Sequence, residues 1–349
     1  MRVIAVANQK GGCGKTTTAI NLASALSSLR PKVLLVDLDP QSHASYGLGV
    51  SSQDIEQSIY NALTDTPERR RTINDIVIKI SDNLHLAPSN ILLSTLEQEL
   101  KDKDDAVSKL HLVLSQTVGA YNYIIIDSPP SLGFLTFNAL RASDEVIVPI
   151  ELGALSLMGV SRLFGMLELI KVKINHAPRV KALATLYDRR TKFSDIMLDE
   201  VRRFFKDDLY KTPIRVNVAL KKAVYNRIPV EKFDGKSPGA EDYRSLALEV
   251  AKDESAFYNY AEADFTVNAP QAKEVYIVGE FNGWRMDDNS RLSRREDGRW
   301  MKRFSLMPGR YRYKFVVDGQ WLLDSNNSNK EVNPFGSFDS ILKIGEKET

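Results

Sequence analysis

The chain has 349 residues, with 47 lysines and arginines against 45 acidic residues, so its formal net charge is only +2. This length allows two or three domains, each with its own core. Near-balanced charge gives no reason to expect a wholly basic nucleic-acid-binding coat, although a local basic patch remains compatible with it. One cysteine and four scattered histidines offer neither an intrachain disulfide nor a Cys/His zinc pattern, and we predict a cytoplasmic protein.

A glycine-rich segment at residues 8–18, NQKGGCGKTTT, follows a short apolar run and precedes apolar residues at helical spacing, which predicts strand, loop and helix. It nearly matches the phosphate-loop pattern G-x-x-x-x-G-K-[ST], except that Gln9 stands at the opening glycine. Loop amides and a helix N-terminus suit a polyphosphate. We predict that Lys15 reaches its terminal phosphates and that Thr16 binds magnesium. Cys13 is interpreted as a small residue that fits the loop rather than as a redox switch.

Strands and helices alternate through the first part of the chain. The runs at residues 32–37 and 123–127 are apolar and end in aspartate, which suits strands buried on both faces of a mostly parallel sheet. Further strands are predicted at residues 145–149 and 181–186, and helices at residues 156–174 and 194–206. The order predicts an open, doubly wound α/β domain that binds its ligand at the carboxyl ends of the strands. There, Asp127 is placed to hold a magnesium-bound water and Asp39 to orient an attacking water.

The segments KGGCGKTT, DLDPQ and IIIDSPPSLG resemble, in this order and spacing, the ParA/Soj branch of the deviant-Walker-loop ATPases. This family of chromosome and plasmid partition proteins also includes MinD, and the resemblance covers residues 1–252. It implies a P-loop NTPase fold, an ATPase that uses ATP and Mg²⁺, and a homodimer that forms around ATP. In the family the early lysine, here Lys10, reaches the phosphates held by the other subunit, which brings a second cation to the transferred phosphoryl group. The implied roles are catalysis by Lys10, Lys15 and Asp39; ATP binding by Lys10, Gly11, Gly12, Cys13, Gly14, Lys15, Thr16 and Thr17; and magnesium binding by Thr16 and, through water, Asp127.

ATP-bound dimers of the ParA branch bind DNA without sequence preference through basic residues, as phosphate contacts allow. The resemblance implies the same partner here, together with a ParB-like or other stimulating protein, and a location that includes the nucleoid. Many relatives read Ile-Pro-Arg-Asn-Val-Arg where residues 214–219 read IRVNVA, so Ala219 replaces the usual second arginine. Each basic cluster also fits an ordinary solvated face. The candidate DNA-binding residues are Arg189, Arg190, Lys192, Arg202, Arg203, Lys221 and Lys222.

A second domain is predicted after a linker at residues 253–261. From this point the sequence has short apolar runs separated by turn dipeptides and contains all three tryptophans of the chain. The Asp-Gly pair at residues 318–319 predicts a hairpin between strands at residues 311–317 and 320–323. We therefore predict a small all-β, immunoglobulin-like sandwich over residues 262–345.

Two of the tryptophans, Trp284 and Trp321, lie at turns where a large ring can be partly exposed, whereas Trp300 lies in a strand and suits the core. The segments VYIVGEFNGWRMD, YRYKFVVDGQWLLD and NPFGSFDSILKI resemble the glycogen-binding module of AMP-activated kinase β-subunits and of isoamylase and branching-enzyme N-termini. The resemblance implies an α-glucan ligand, although some members of this fold bind proteins. At Asp339 the family commonly has asparagine; an ionised aspartate accepts hydrogen bonds but cannot donate them. The implied sugar-contacting residues are Trp284, Lys314, Trp321, Phe335, Ser337 and Asp339.

Together these resemblances predict an ATP-driven dimerisation switch that positions or partitions a cargo on nonspecific DNA and engages an α-glucan or a glucan-associated protein. Two alternatives stay open. One is a glucan-sensing adaptor that regulates glycogen metabolism without DNA positioning. The other is an ordinary chromosome or plasmid partition ATPase whose β-module binds a protein. We expect no membrane attachment of the MinD type, because a β-module occupies the position of a C-terminal amphipathic anchor.

Overall fold

The computed structural model of the chain contains two compact units, Met1–Lys252 and Asp253–Thr349. The residues it describes are 1–51, 53, 55–103, 105–153, 158–174, 176–252, 261–295, 297–306, 309–333 and 336–344. Each unit has a hydrophobic core of its own. Among the described residues, no helix is both long enough and apolar enough to cross a lipid bilayer.

One sheet forms the centre of the first unit. Its strands are β1 (Arg2–Val6), β2 (Val33–Asp37), β3 (Ile78–Lys79), β4 (Leu84–Ala87), β5 (Tyr123–Asp127), β6 (Glu145–Glu151) and β7 (Arg179–Thr185). They lie in the order β3-β4-β2-β5-β1-β6-β7, and all neighbours are parallel except β3, which runs antiparallel to β4. This arrangement confirms the predicted doubly wound, mostly parallel sheet.

Helices cover both faces of this sheet. They are α1 (Lys15–Ser28), α2 (His43–Gly47), α3 (Ile59–Leu63), α4 (Ile73–Ile76), α5 (Leu96–Glu99), α6 (Lys109–Ser115), α7 (Phe134–Ala142), α8 (Met158–Ile174), α9 (Lys192–Phe205), α10 (Val218–Tyr225), α11 (Val230–Asp234) and α12 (Pro238–Lys252). Short 3₁₀ turns occupy Ile91–Thr95, Ala106–Ser108 and Lys206–Asp208.

The two faces of β1 show why its sequence is continuously apolar. Ile4 and Val6 belong to the core that includes α1 and α12, whereas Val3 and Ala5 belong to the core under α3, α6 and α7. A strand that is buried on both faces cannot alternate apolar with polar residues. The carboxyl ends of β1, β2 and β5 then meet, because Val6, Asp37 and Asp127 are neighbours in register.

Several predicted element boundaries differ from the structure by one or two residues; β6, for example, continues to Glu151 beyond the predicted end at residue 149, and β7 begins at Arg179. The helix predicted at residues 194–206 begins at Lys192, because the Thr191 side chain accepts a hydrogen bond from the Ser194 N–H and starts the helix there. The strand predicted to reach residue 186 ends at Thr185, and Leu186 has a left-handed backbone with φ of 53°. Of the helix predicted at residues 156–174, the first two residues lie outside the described residues.

The second unit is built from short strands: β8 (Ala261–Asn268), β9 (Val275–Gly279), β10 (Ser293–Arg294), β11 (Arg299–Leu306), β12 (Gly309–Val317), β13 (Gln320–Leu322), β14 (Lys330–Val332) and β15 (Phe338–Ile344). A sheet in the order β10-β11-β8 faces a sheet in which β12 pairs with β9, β13 and β15, and β14 pairs with β15. All described pairs are antiparallel, and side chains from both sheets share one core, as the predicted β-sandwich requires.

The hairpin between β12 and β13 turns at the predicted Asp-Gly pair. Tyr313 and Phe315 of β12 enter the core, as their alternation predicts. Val316, on the opposite face with Lys314, is also buried at 1% exposure, because its cross-strand neighbours Tyr276 and Trp321 flank it. Trp300 is buried as predicted, and its indole N–H donates to a backbone carbonyl.

Candidate functional site

The glycine-rich loop joins β1 to α1 at the carboxyl edge of the first sheet. Gly12 and Gly14 have left-handed backbones, with φ of 75° and 92°, a conformation that favours glycine at both positions. Gly14 precedes the first residue of α1, and no side chain caps that helix. The N–H groups of the first helical turn are therefore open to an anion at this end of α1.

The two lysines of the loop have different environments. Lys15 is buried at 8% exposure, and its ammonium donates to the Lys10 carbonyl oxygen at 3.0 Å. The Lys10 ammonium lies 2.6 Å from Glu151 Oε2, at the end of β6, and both side chains are about one-third exposed. Lys10 and Lys15 thus bring two cations to one loop, one inside it and one at its rim. The roles predicted for them from the sequence, phosphate binding by Lys15 and contact with the other subunit's nucleotide by Lys10, remain predictions.

Cys13 is a buried part of the loop wall. Its side chain is fully buried, and its carbonyl oxygen accepts a hydrogen bond from the Thr185 hydroxyl at 2.8 Å. Burial raises the pKa of the Cys13 thiol, an effect that the nearby Lys15 partly offsets. A thiol in this setting is not activated for redox chemistry, which supports its interpretation as a small residue that fits the loop.

Asp127 is a buried carboxylate that lacks a hydrogen-bond partner. It is fully buried at the end of β5, and neither oxygen meets hydrogen-bond geometry with a described donor, although the Thr16 hydroxyl lies close enough to favour the ionised form. Burial, together with the negative charge of Asp37, raises the pKa of the Asp127 carboxyl well above its usual range, while Thr16 and Lys15 act in the opposite direction. An uncompensated buried carboxylate is costly unless a ligand compensates it.

Asp37 and Asp39 complete the acidic edge. Asp37 is fully buried and accepts hydrogen bonds from both the N–H and the hydroxyl of Ser45, each at 2.7 Å. Burial nevertheless raises the pKa of Asp37 to about 6. Asp39 is 7% exposed, and its carboxylate accepts from the Gln41 N–H at 2.9 Å. The sequence reasoning assigned no role to Asp37 or Ser45, although the position of Asp37 at a strand end was a usable signal.

The residues around Asp127 fit a magnesium ion. Mg²⁺ prefers oxygen ligands and usually keeps several waters while it contacts one or two carboxylates or substrate phosphates. Asp127 offers an unpartnered carboxylate, and Thr16 offers a hydroxyl close enough to affect its pKa. The uncapped N-terminus of α1 lies one residue before Thr16 and suits the phosphates of a nucleotide.

The candidate DNA-binding residues are all exposed. They lie in the loop before α9, on α9 and on α10: Arg189, Arg190, Lys192, Arg202, Arg203, Lys221 and Lys222. Arg190 pairs with Asp188, and Arg202 pairs with Asp199 at 3.0 Å, so part of this positive charge is offset within the chain. Arg215, from the segment that departs from the family pattern, pairs instead with Asp242 and so attaches the segment before α10 to α12.

In the second unit, the two turn tryptophans lie side by side. The ring centroids of Trp284 and Trp321 are 6.4 Å apart with their planes tilted by 32°, and Trp321 is 49% exposed. Trp284 has a left-handed backbone with φ of 59°, and its N–H donates to the Gly279 carbonyl, which fixes the turn that presents its ring. The pair forms an apolar platform on the outer side of the sheet that contains β9, β12 and β13.

Four polar residues lie close together beside the same sheet. The Lys314 ammonium donates to Ser337 Oγ at 3.1 Å and lies 3.2 Å from Asp339 Oδ1. Asn333 donates to both Ser337 Oγ and Asp339 Oδ1. Asp339 is only 4% exposed, and its carboxylate acts first as the partner of Lys314 and Asn333. Phe335, also predicted for this site, lies outside the described residues.

Comparisons with known proteins divide the chain in the same way. Residues 1–180 match a family model described as an AAA domain, and residues 263–349 match the glycogen recognition site of AMP-activated protein kinase. The chain is 40% identical over 251 residues to the sporulation initiation inhibitor protein Soj of Bacillus subtilis (strain 168), which covers 72% of this chain and 98% of Soj. It is 37% identical over 252 residues to the chromosome partitioning protein ParA of Myxococcus xanthus (strain DK1622), covering 72% and 88%.

The fold of the first unit is also similar to that of a solved nucleotide-bound structure. Cobyrinic acid a,c-diamide synthase from Mycobacterium smegmatis, with bound ADP and magnesium, is 31% identical, with a TM-score of 0.63 over 74% of this chain and 97% of that one.

Proposed function

Because the chain belongs to the ParA/Soj family of chromosome-partitioning ATPases, we propose that it is an ATP-hydrolysing dimerisation switch. In this proposal the switch uses ATP and Mg²⁺, positions or partitions a cargo on nonspecific DNA in the cytoplasm, and is stimulated by a ParB-like or other partner. Its second unit binds an α-glucan or a glucan-associated protein. The observation that carries the nucleotide part is the buried, unpartnered carboxylate of Asp127 beside an uncapped helix N-terminus.

In this proposal, residues of the first unit have separate roles in ATP hydrolysis. Lys15 exchanges the Lys10 carbonyl for the phosphates, since an anion is a stronger partner for an ammonium than a backbone oxygen. The amides of the loop and of α1 bind phosphate oxygens. Thr16 and, through water, Asp127 hold magnesium, which supplies positive charge that neutralises the transferred phosphoryl group. Asp39 orients the attacking water with the carboxylate oxygen that its bond to Gln41 leaves available.

Dimerisation supplies the last cation. Lys10 lies at the rim of the loop, where it is partly exposed and paired with Glu151, so a second subunit that approaches this edge can displace Glu151 and bind the Lys10 side chain. A cation delivered by the partner stabilises charge on the transferred phosphoryl group and makes turnover depend on the dimer. Lys10 thereby couples the state of the nucleotide to the state of assembly.

DNA binding rests on the exposed basic residues of α9 and α10. Phosphate contacts through these residues carry no sequence information, and they weaken as salt displaces them. Retention of the protein on nonspecific DNA should therefore require ATP, fall at raised salt and be lost in Arg202→Ala/Arg203→Ala. Lys101→Ala/Lys103→Ala is the matched control, because it removes two exposed cations elsewhere on the unit. Absence of ATP-dependent retention by the wild-type protein would favour the glucan-sensing regulator instead.

Glucan binding rests on the tryptophan platform with its adjacent polar cluster. Sugar rings have apolar faces that stack on aromatic rings and hydroxyl rims that hydrogen-bond to side chains such as Lys314 and Ser337. The wild-type protein should co-sediment with glycogen, and Trp284→Ala/Trp321→Ala should abolish this. Met286→Ala is the matched control, since it removes an exposed apolar side chain from the same loop region without touching the platform. Failure of the wild type to bind would favour a β-module that binds a protein.

A further inference from the structure

Lys10 is held at three points within its own chain. Its N–H donates to Asn8 Oδ1 at 3.2 Å, its carbonyl oxygen accepts from Lys15 Nζ at 3.0 Å, and its ammonium lies 2.6 Å from Glu151 Oε2. Asn8 in turn donates to the Pro149 carbonyl oxygen at 2.7 Å. Pro149 and Glu151 both belong to β6, so one strand fixes the backbone of the loop and the tip of the Lys10 side chain.

We infer that Glu151 is a positioning residue that keeps the Lys10 side chain within its own chain until a second subunit arrives. The inference rests on the proposed function, in which Lys10 acts on the nucleotide of the partner. Lys10 cannot reach a partner's phosphates while its ammonium is in contact with Glu151 Oε2. Glu151 therefore competes with the partner for the same cation and favours the single chain.

Nucleotide binding would loosen only one of the three contacts. When Lys15 turns to the phosphates of ATP, the Lys10 carbonyl loses its donor. The Lys10–Glu151 ion pair involves a different atom, and the phosphates of the same loop do not replace the carboxylate directly. The ion pair thus remains a separate barrier, which the partner's phosphates overcome by offering more negative charge than one carboxylate.

The expected size of the effect follows from exposure. The side chains of Lys10 and Glu151 are 33% and 34% exposed, so water screens their attraction and its contribution is that of a modest surface pair. Both subunits lose their pair when the dimer forms, so a factor of about two to five for each pair is multiplied, and removing the pairs should shift the equilibrium toward the dimer by about four- to 25-fold. Glu151→Gln keeps the shape of the side chain and removes its charge. Glu168→Gln is the matched control, because Glu168 is exposed on α8 and does not contact the loop.

The first measurement is the dissociation constant of the dimer, obtained by sedimentation with a non-hydrolysable ATP analogue and magnesium. Glu151→Gln should lower this constant by about four- to 25-fold relative to wild type, because both subunits carry the substitution, while the control leaves it unchanged. The difference between Glu151→Gln and wild type should shrink near 1 M salt, where the screening length is about 3 Å. An unchanged or raised dissociation constant in Glu151→Gln overturns the inference.

The second measurement uses the nucleotide-free single chain and so does not depend on dimerisation. Acylation of Lys10 by an N-hydroxysuccinimide ester, followed by mass spectrometry, reports how often its amine leaves the ion pair, with exposed Lys236 as the internal reference. Glu151→Gln should raise the relative rate at Lys10 by about two- to fivefold; an unchanged rate overturns the inference. If the wild type forms no dimer with the ATP analogue, the proposed function fails, and the labelling result still decides whether Glu151 holds Lys10.

Discussion

Replacing Asp127 with asparagine removes a buried charge and nearly preserves the volume of the side chain. The Asp127 carboxylate is fully buried, has no hydrogen-bond partner among the described residues and lies beside Asp37 in register. A buried polar group that is left unsatisfied costs about 1–3 kcal/mol, and a charged one costs more. We expect Asp127→Asn to raise the free energy of unfolding of the nucleotide-free first unit by about 1–3 kcal/mol.

Far-ultraviolet circular dichroism is the right probe, because all the described α-helices lie in the first unit, whereas all three tryptophans lie in the second. For a unit of this size, each kcal/mol corresponds to a rise of about 2–4 °C in melting temperature. Asp102→Asn is the matched control: Asp102 is exposed and lies outside the acidic edge, so stability should change by less than about 0.5 kcal/mol. With ATP and magnesium, the wild type should gain more stability than Asp127→Asn does.

The reasoning about Asp127 would be refuted by one clear result. If Asp127→Asn were less stable than the wild type without nucleotide, the carboxylate would have a stabilising role within the fold. No ligand would then be needed to explain a carboxyl group in this buried position. Equal gains from magnesium and ATP in the two proteins would separately remove Asp127 from the proposed magnesium site.

Three further predictions concern other charged residues. Burial raises the pKa of Asp37 to about 6, so the folded state keeps a proton that the unfolded chain loses above about pH 4. The free energy of unfolding of the first unit should therefore fall as the pH rises from about 4 to 6. Urea titrations of Asp37→Asn should show a smaller fall over the same range. Lys10→Ala should spare ATP binding, measured by calorimetry, yet abolish ATP-dependent dimerisation or turnover; if both persist, the dimer-switch proposal is wrong. Asp339→Asn leaves the largely buried Lys314 ammonium without its anion and should destabilise the second unit by about 1–3 kcal/mol. Tryptophan fluorescence measures the unfolding of this unit, and unchanged stability would contradict this account.

The strands around the candidate nucleotide site could be predicted because burial on both faces leaves a strong signal in the sequence. β1, β2 and β5 are short, continuously apolar runs, and β2 and β5 each end in an aspartate at the same edge. Local chemistry placed the loop as well, since glycines with left-handed backbones precede the helix. These features could be predicted because residues close together in the sequence determine them.

The contacts that orient the side chains could not be predicted in the same way. Lys10 and Glu151 are 141 positions apart, and they meet only because β6 lies next to β1 in the sheet. No periodicity reports strand order at that distance. Val316 shows a related limit: its alternation places it on the outer face, yet cross-strand neighbours bury it. Interactions between distant segments determined both outcomes.

Asp127 and Asp339 are both buried aspartates, and the difference between them carries the functional argument. Asp339 has a cation and an amide donor within its own unit, so the fold alone accounts for its charge. Asp127 makes no comparable contact among the described residues: Thr16 and Lys15 favour its ionised form, but burial and the nearby Asp37 outweigh them. A buried carboxyl group without a partner does not stabilise the fold, whereas it strengthens the binding of a cation at a site that must attract one. The same substitution should therefore have opposite signs at the two positions, stabilising at Asp127 and destabilising at Asp339.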